Sequence, residues 1–450
     1  MEKYYHLLKK DRLIELLSNE KSIVREESVS ALTKFFPNQE NVLSHLLELI
    51  NRIKIKYKES ESNRDFLSAS KRMEGLSLLA SIKNFIPSDS EFKEIIKLYL
   101  EFENIENNFA SNLQYHIILS FIKYPLKILE KNQNIFIFNK HLNKVFEMTK
   151  QRDKFIDKTP DTLWEILNDF CINHYDEYKE KGLDRIAKEN FDLVVIGLSK
   201  HKEISSKVLL ELNRTKNINY LLEEALVTLA GNLKIVESIP FLFDILKKTN
   251  SMQIIYSISV HSLKKIGGIE VVNELEKLYD TDLDMKMEFA SILGYIPYNY
   301  SENLLIKLLK KEKDITNKTV LATSLCRIFS KKGLEYVLDM VNNLDYDPTM
   351  NDLHNHIISV FEYHNIELPN EKKMIHSGED FSRKSFEKSP LHKMGKELRE
   401  NLKSIESSKQ IEEKKKVNYS NNVIVLSQKA LKNKKKKIRK MKRKSRKRKK

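Results

Sequence analysis

Glycine and proline are scarce, with ten Gly and nine Pro in 450 residues. Sandwiches and α/β folds of this length need many tight turns, which draw on those two residues. Their scarcity disfavours both architectures and predicts an all-α chain. Only two cysteines occur, Cys171 and Cys326, far apart in apolar helical surroundings. Two such thiols make neither a disulfide framework nor a zinc site, and they fit a reducing compartment. No apolar run approaches the ~18–20 residues that span a bilayer. The stretch MEKYYHLLKKDR lacks the apolar core of a signal peptide, and Arg448-Lys449-Lys450 offers no cysteine for prenylation. The expectation is a cytoplasmic protein.

Hydrophobic residues make up 41% of the chain and charged residues 32%, the balance of helices with highly solvated outer faces. The excess positive charge is not spread along the chain. From Lys429 to Lys450 there are 16 Lys/Arg and no Asp or Glu, within a chain of 79 basic and 63 acidic residues. Removing those 16 from the 79 leaves 63, so the first 428 residues are neutral and the net +16 belongs to the tail. A run of like charges with no apolar face cannot collapse on itself, and the tail is expected to be disordered when free. Its cations are Lys432, Lys434, Lys435, Lys436, Lys437, Arg439, Lys440, Lys442, Arg443, Lys444, Arg446, Lys447, Arg448, Lys449 and Lys450, preceded by Lys429. Such a segment attracts polyanions through counterion release. It holds no aromatic residue after Tyr419, so it has nothing to stack on an unpaired base. The tail is expected to bind RNA, ribosome or DNA phosphate without reading sequence. An anionic membrane surface would attract the same cations.

The body shows an internal period. Leu226, Leu263, Leu293 and Leu325 are spaced by 37, 30 and 32 residues. Ala225, Ser262, Ile292 and Ser324 precede them, and Leu229, Ile266, Ile296 and Ile328 follow three residues later. Positions i and i+3 share a helix face, so each block presents a leucine ridge beside a residue that is small in three cases. A second helix follows each block, marked by Leu242 and Ile245, Leu275 and Leu278, Leu305 and Leu308, and Val337 and Met340. Gly231, Gly267 with Gly268, Pro297 and Gly333 stand between the paired helices as breakers. A two-helix unit of 30–40 residues cannot bury its apolar face alone and must stack on its neighbours.

The stretches EEALVTLAGNLKIVESIPFLFDIL and FASILGYIPYNYSENLLIKLL carry a resemblance to HEAT repeats, in the short form shared with armadillo-like and phycobilisome-lyase-like proteins. The likeness is clearest over 218–342. It implies a right-handed α-solenoid of helix pairs. Upstream, EESVSALTKFFPNQENVLSHLLELI and EGLSLLASIKNFIPSDSEFKEIIKLYL repeat the arrangement more loosely, while 100–215 is helical by period but irregular. The expected organisation is irregular helical repeats over 1–215, HEAT-like repeats over 216–365, a polar linker over 366–428 and the basic tail over 429–450. The linker is polar and broken by Gly378, with a lone charged helix expected over 391–416.

Few residues carry the pattern of a reaction. Trp164, the single tryptophan, lies in PDTLWEILNDF. HEAT-repeat alkylpurine DNA glycosylases are similar here in placing a tryptophan and an acidic residue on one DNA-facing helix. In this chain the carboxylate is Asp169, one residue beyond the i+4 position held by Asn168. A core tryptophan is the expected alternative. His354 and His356 in DLHNHII stand two apart, on different sides of a helix, so a shared metal is not expected. Gly267-Gly268 reads as a turn rather than a phosphate loop. The reading is therefore a noncatalytic adaptor without cofactor or metal, with an unidentified protein partner on its body. A glycosylase-like enzyme and a pure protein–protein scaffold stand as the alternatives.

Overall fold

The computed structural model describes residues 6–388, apart from 38, 40, 61–80, 103–116, 119, 215–218, 250–251 and 281–284, together with residue 394. Met1–Ser382 forms one compact unit and Arg383–Lys450 another. Among the described residues 77% are helical and there is no strand, so the chain is all-α. The tail and the expected helix over 391–416 fall outside the described residues, except for residue 394.

The first helices are α1 (Lys10–Leu16), α2 (Ser22–Phe35), α3 (Val42–Ser60), α4 (Asp89–Phe102), α5 (Leu126–Glu130) and α6 (Gln133–Phe138). The middle of the chain forms α7 (Lys140–Ile156), α8 (Pro160–Asn173), α9 (Tyr175–Lys181), α10 (Arg185–Leu198) and α11 (Ser205–Asn213). Next come α12 (Tyr220–Leu233), α13 (Ile239–Lys248), α14 (Ile254–Ile266), α15 (Gly268–Leu278) and α16 (Lys286–Leu293). The last are α17 (Asn299–Lys311), α18 (Ile315–Arg327), α19 (Leu334–Asn342), α20 (Leu353–Tyr363) and α21 (Glu371–Lys388). Several begin at side-chain caps that satisfy the first free N–H groups. Asn139, Thr159, Asp184, Asn219 and Asp314 each accept from the backbone of the turn they open.

From α12 onward the helices alternate between two roles. α12, α14, α16, α18 and α20 pack in succession; α13 packs on α14, α17 on α16 and α18, and α19 on α18 and α20, while α15 packs between α13 and α17. The anchor residues Leu226, Leu263, Leu293 and Leu325 are at most 1% exposed. The small positions beside them make the close contacts of the stack. Ser262 Oγ donates to the Val227 carbonyl at 2.8 Å, and Ser324 Oγ donates to the Ala290 carbonyl at 2.7 Å. Each serine faces a glycine on the preceding helix or its end. A Cβ on Gly231 would stand 2.6 Å from Ser262 Cα, and one on Gly294 would stand 2.8 Å from Ser324 Oγ.

The middle of the unit is held differently. Phe92, Phe121, Tyr124 and Phe136 form an aromatic cluster, with Phe92–Phe121 centroids 5.4 Å apart and Phe121–Phe136 centroids 5.6 Å apart. Arg152, 7% exposed, donates to the Ile122 carbonyl and, at 2.6 Å, to the Tyr124 carbonyl. A buried guanidinium spent on backbone carbonyls satisfies a non-repeating chain segment that no helix ladder serves. α7 and α8 pack on α10, and α10 on α12, which joins this region to the stack. The described residues of 1–215 and of 216–365 therefore share one compact unit.

The beginning of the chain packs against its far end. α1 and α2 both contact α20. Leu7 N–H donates to the Pro297 carbonyl at 2.8 Å, and Arg12 reaches the Tyr363 carbonyl at 3.0 Å and the Glu362 carbonyl at 2.5 Å. Lys21 Nζ lies 2.7 Å from carboxylates of both Glu362 and Glu371. α2 thus takes the next place after α20 in the stack.

One expectation is corrected. The sequence reading placed a polar, glycine-broken linker from residue 366, whereas Glu371–Lys388 is continuous helix with Met374 and Gly378 buried. Gly378 does not break it because the glycine serves packing. A Cβ there would stand 2.3 Å from His354 Cγ.

Candidate functional site

The residues singled out as possible catalysts do not assemble. Trp164 is 5% exposed in the core, with Lys207 Nζ 4.7 Å from its ring centroid. Asp169, on the same helix, is exposed. The tryptophan and the carboxylate therefore do not share an open face. His354 is 1% exposed and its Nδ1 lies 3.1 Å from Tyr346 Oη, while His356 Nδ1 lies 2.8 Å from Glu27 Oε1. Each histidine has its own partner on a different element. Among the described residues no group of three or more His, Cys, Asp or Glu is placed to hold a metal. Cys171 and Cys326 are both buried and free. Burial pushes the Cys171 thiol up to about 12, which leaves little thiolate at neutral pH.

Two buried carboxylates have well-defined neighbours. Burial pushes the Glu224 carboxyl up to about 7, and Tyr178 Oη donates to it from α9. The neutral acid is the form that a desolvated side chain favours. Glu312 behaves oppositely. Burial pushes it up, but hydrogen bonds from Lys286 Nζ at 2.9 Å, the Asp314 and Lys313 backbone and Tyr279 Oη outweigh that and hold it at about 2. Both carboxylates are tied within the protein by neighbouring side chains, so they read as structural groups.

The charge pattern of the stacked helices is different. Tyr295 follows α16, and three cations converge on its ring: Lys264 Nζ at 4.4 Å from the centroid, Lys34 Nζ at 5.0 Å and the Arg327 guanidinium at 5.4 Å. Each comes from the last turn of its helix, α14, α2 and α18, where cations interact well with the C-terminal end of the macrodipole. Lys264 also donates to Ser291 Oγ at 2.9 Å, and its neighbour Lys265 donates to Asn232 Oδ1 at 2.5 Å. Among the described residues, no carboxylate lies within 4.0 Å of Lys34, Lys123, Lys264, Lys265 or Arg327. Elsewhere lysines do find carboxylates, as with Lys131–Asp89 and Lys307–Glu276, both at 2.6 Å.

The like charges are felt. Burial, then Arg327 and Lys34, push the Lys264 ammonium down to about 8, with Glu288 opposing. Burial and then Lys123 push Lys265 down, and burial and then Lys83 push Lys123 down. Lys265 and Lys123 are nonetheless open to solvent. Glu27 is one of two nearby acids. Burial pushes it up, but His356 and the charges of Lys34 and Arg327 hold it below its ordinary value.

Sequence reasoning missed this cluster. Each cation looks like an ordinary helix-end residue, and the segments are brought together only by the packing of α2 on α20 and the order of the stack. The tail cations from Lys432 to Lys450 lie outside the described residues. No protein-family model matches the chain, and no match is found among curated proteins.

Proposed function

We propose that the chain is a noncatalytic, cytoplasmic adaptor whose body is a right-handed solenoid of HEAT-like helix pairs. The body holds a protein partner, and the tail from Lys429 to Lys450 binds nucleic acid without reading sequence. One observation carries the reading: 16 cations without an anion in the tail, beside 428 residues whose basic and acidic side chains balance. A neutral body does not need a polycation to stay soluble, whereas a phosphate surface rewards one through counterion release. The recurring serine–glycine contacts of Ser262 with Gly231 and Ser324 with Gly294 support the repeat reading of the body. Close approach at small residues is what lets equivalent helices stack at constant spacing.

The test uses the full-length protein, a full-length variant with the 16 tail cations replaced by Gln, and a labelled RNA oligonucleotide. Wild type should bind with a log–log salt slope of about −5 to −10, since complete engagement would give about −11 to −14. The neutralised variant should remain folded and lose most of its affinity. A scrambled Lys/Arg tail should preserve binding. Undiminished binding by the neutralised variant would overturn the role of the tail.

A further inference from the structure

We propose that Lys34, Lys264 and Arg327, gathered around Tyr295 and extended by Lys265 and Lys123, form a second phosphate-binding site on the helical body for the backbone of a nucleic-acid strand. The proposal rests on the nucleic-acid reading above and adds a site that the tail does not supply.

Four observations point the same way. Three cations lie within 5.4 Å of one ring centroid, drawn from α2, α14 and α18. Macrodipole interactions explain a cation at each helix end, but they do not explain three ends converging. None of the five cations has a carboxylate within ion-pair distance among the described residues, and the side chains of Lys34, Lys123 and Arg327 make no hydrogen bond there either. A guanidinium presents five donors in a fixed fork suited to a phosphate, and at Arg327 that fork is free. The mutual repulsion of these charges costs folding free energy, and an anionic ligand would reverse its sign. Finally, the cations are reachable, since Lys34, Lys123 and Lys265 are exposed and Lys264 and Arg327 are half-buried.

The geometry also indicates the kind of contact. Tyr295 is surrounded by cations that lie over its ring, so the ring is not open for a base to stack on. Recognition there is of phosphate and not of base. Lys265 adjoins Lys264 in the chain, and Lys123 lies close enough to Lys265 to disfavour its charge, so the positive surface extends beyond the three cations at Tyr295, as successive phosphates of a strand require. Two acids border the row. Glu27 is engaged by His356 at 2.8 Å, and Glu288 faces Lys264 with a buried Oε2 that has no partner.

The experiment measures binding of a labelled single-stranded RNA oligonucleotide to full-length protein across a salt series. The variants are Lys264→Gln/Arg327→Gln, the exposed single change Lys265→Gln, and the tail-neutralised chain. The double variant should weaken binding about tenfold or more at low salt and reduce the magnitude of the salt slope by about two, and Lys265→Gln should reduce it by about one. Lys264→Arg should retain binding. Far-UV circular dichroism checks that each variant is folded, and the exposed Lys265→Gln carries the test if the double variant is not. If the double variant and Lys265→Gln keep wild-type affinity and slope while the tail-neutralised chain loses binding, the body site is wrong and the tail reading stands. If the body variants lose binding and the tail variant does not, the reverse holds. Inorganic pyrophosphate serves as competitor. Displacement of the strand only at far higher phosphate concentration supports a strand site, whereas tight pyrophosphate binding lost in the double variant, without any change in RNA binding, would make it a small-anion site and overturn the proposal.

Discussion

Replacing Gly231 by alanine should destabilise the body, against the ordinary direction of such a change. In a helix interior, Gly→Ala is worth roughly 1 kcal/mol in favour of the folded state, because alanine loses less backbone entropy. At Gly231 the added Cβ would stand 2.6 Å from Ser262 Cα, 2.6 Å from its Oγ and 2.7 Å from its Cβ. Carbon atoms in contact sit ~3.5–4.0 Å apart, so α14 must move away by about 1 Å. Rotating a side chain does not relieve the clash, because Ser262 Cα is backbone. Overpacking of this kind costs about 1–3 kcal/mol. The shift also strains the buried hydrogen bond from Ser262 Oγ to the Val227 carbonyl, at 2.8 Å, and leaving those groups unpaired costs a further ~1–3 kcal/mol. Set against the propensity gain, the net loss is about 1–5 kcal/mol. Urea unfolding should show a lower midpoint at unchanged slope. Gly294→Ala should cost less, since the Ser324 Oγ, Cβ and Cα would stand 2.8, 2.9 and 3.1 Å away, each farther than at Gly231. Gly197→Ala is the control, meeting the tip of Leu163 at 3.0 Å and the Ile156 Cα only at an ordinary 3.8 Å, and should be close to neutral. A Gly231→Ala protein as stable as wild type, or more so, would refute the argument that close serine–glycine approach sets the helix spacing.

The other predictions concern the joined ends and a buried acid. Arg12→Ala removes donors to the Glu362 and Tyr363 carbonyls and to Asn365 Oδ1, and should cost about 1–3 kcal/mol. Amide exchange should accelerate first in α1 and α2, and unchanged protection there would mean that the ends are held by apolar packing alone. Glu224 has a folded-state value raised to about 7, above its unfolded value near 4.5. Its unfolded form ionises first, so its contribution to stability falls as pH rises from about 4.5 to about 7 and stays low above that. Glu224→Gln keeps an acceptor for Tyr178 and removes the charge, so it should stabilise by about 2–3 kcal/mol at pH 8 and by little at pH 4. Equal effects at both pH values, read from urea midpoints, would show that the carboxyl is not desolvated in the folded protein.

Legibility in the sequence followed the range of the interactions. The anchor leucines and their second-helix partners could be placed because burial on one helix face recurs at i and i+3, a purely local signal. The serines beside them were marked as small for the same reason. Gly378 was misread for the opposite reason. Its signal is a contact with His354, 24 residues away in the chain, and locally it looks like a break in a polar stretch. Arg152 was passed over because its partners are carbonyls of the irregular segment at Ile122 and Tyr124, which carry no sequence signature.

By itself, the sequence determined the helical class of the described chain, the leucine faces of the helices from α12 to α19, and the concentration of net charge in the last twenty-two residues. Each follows from residues near one another along the chain, where periodicity, turn-residue scarcity and charge counting apply. The tertiary structure decided the rest. It brought α1 and α2 onto α20, closed the contact at Lys21 with Glu362 and Glu371, and set Lys34 beside Lys264 and Arg327 around Tyr295. Those partners lie up to about 350 positions apart, as Lys21 and Glu371 do. No local propensity encodes such a pairing, because it depends on where the summed geometry of the intervening helices carries the two ends.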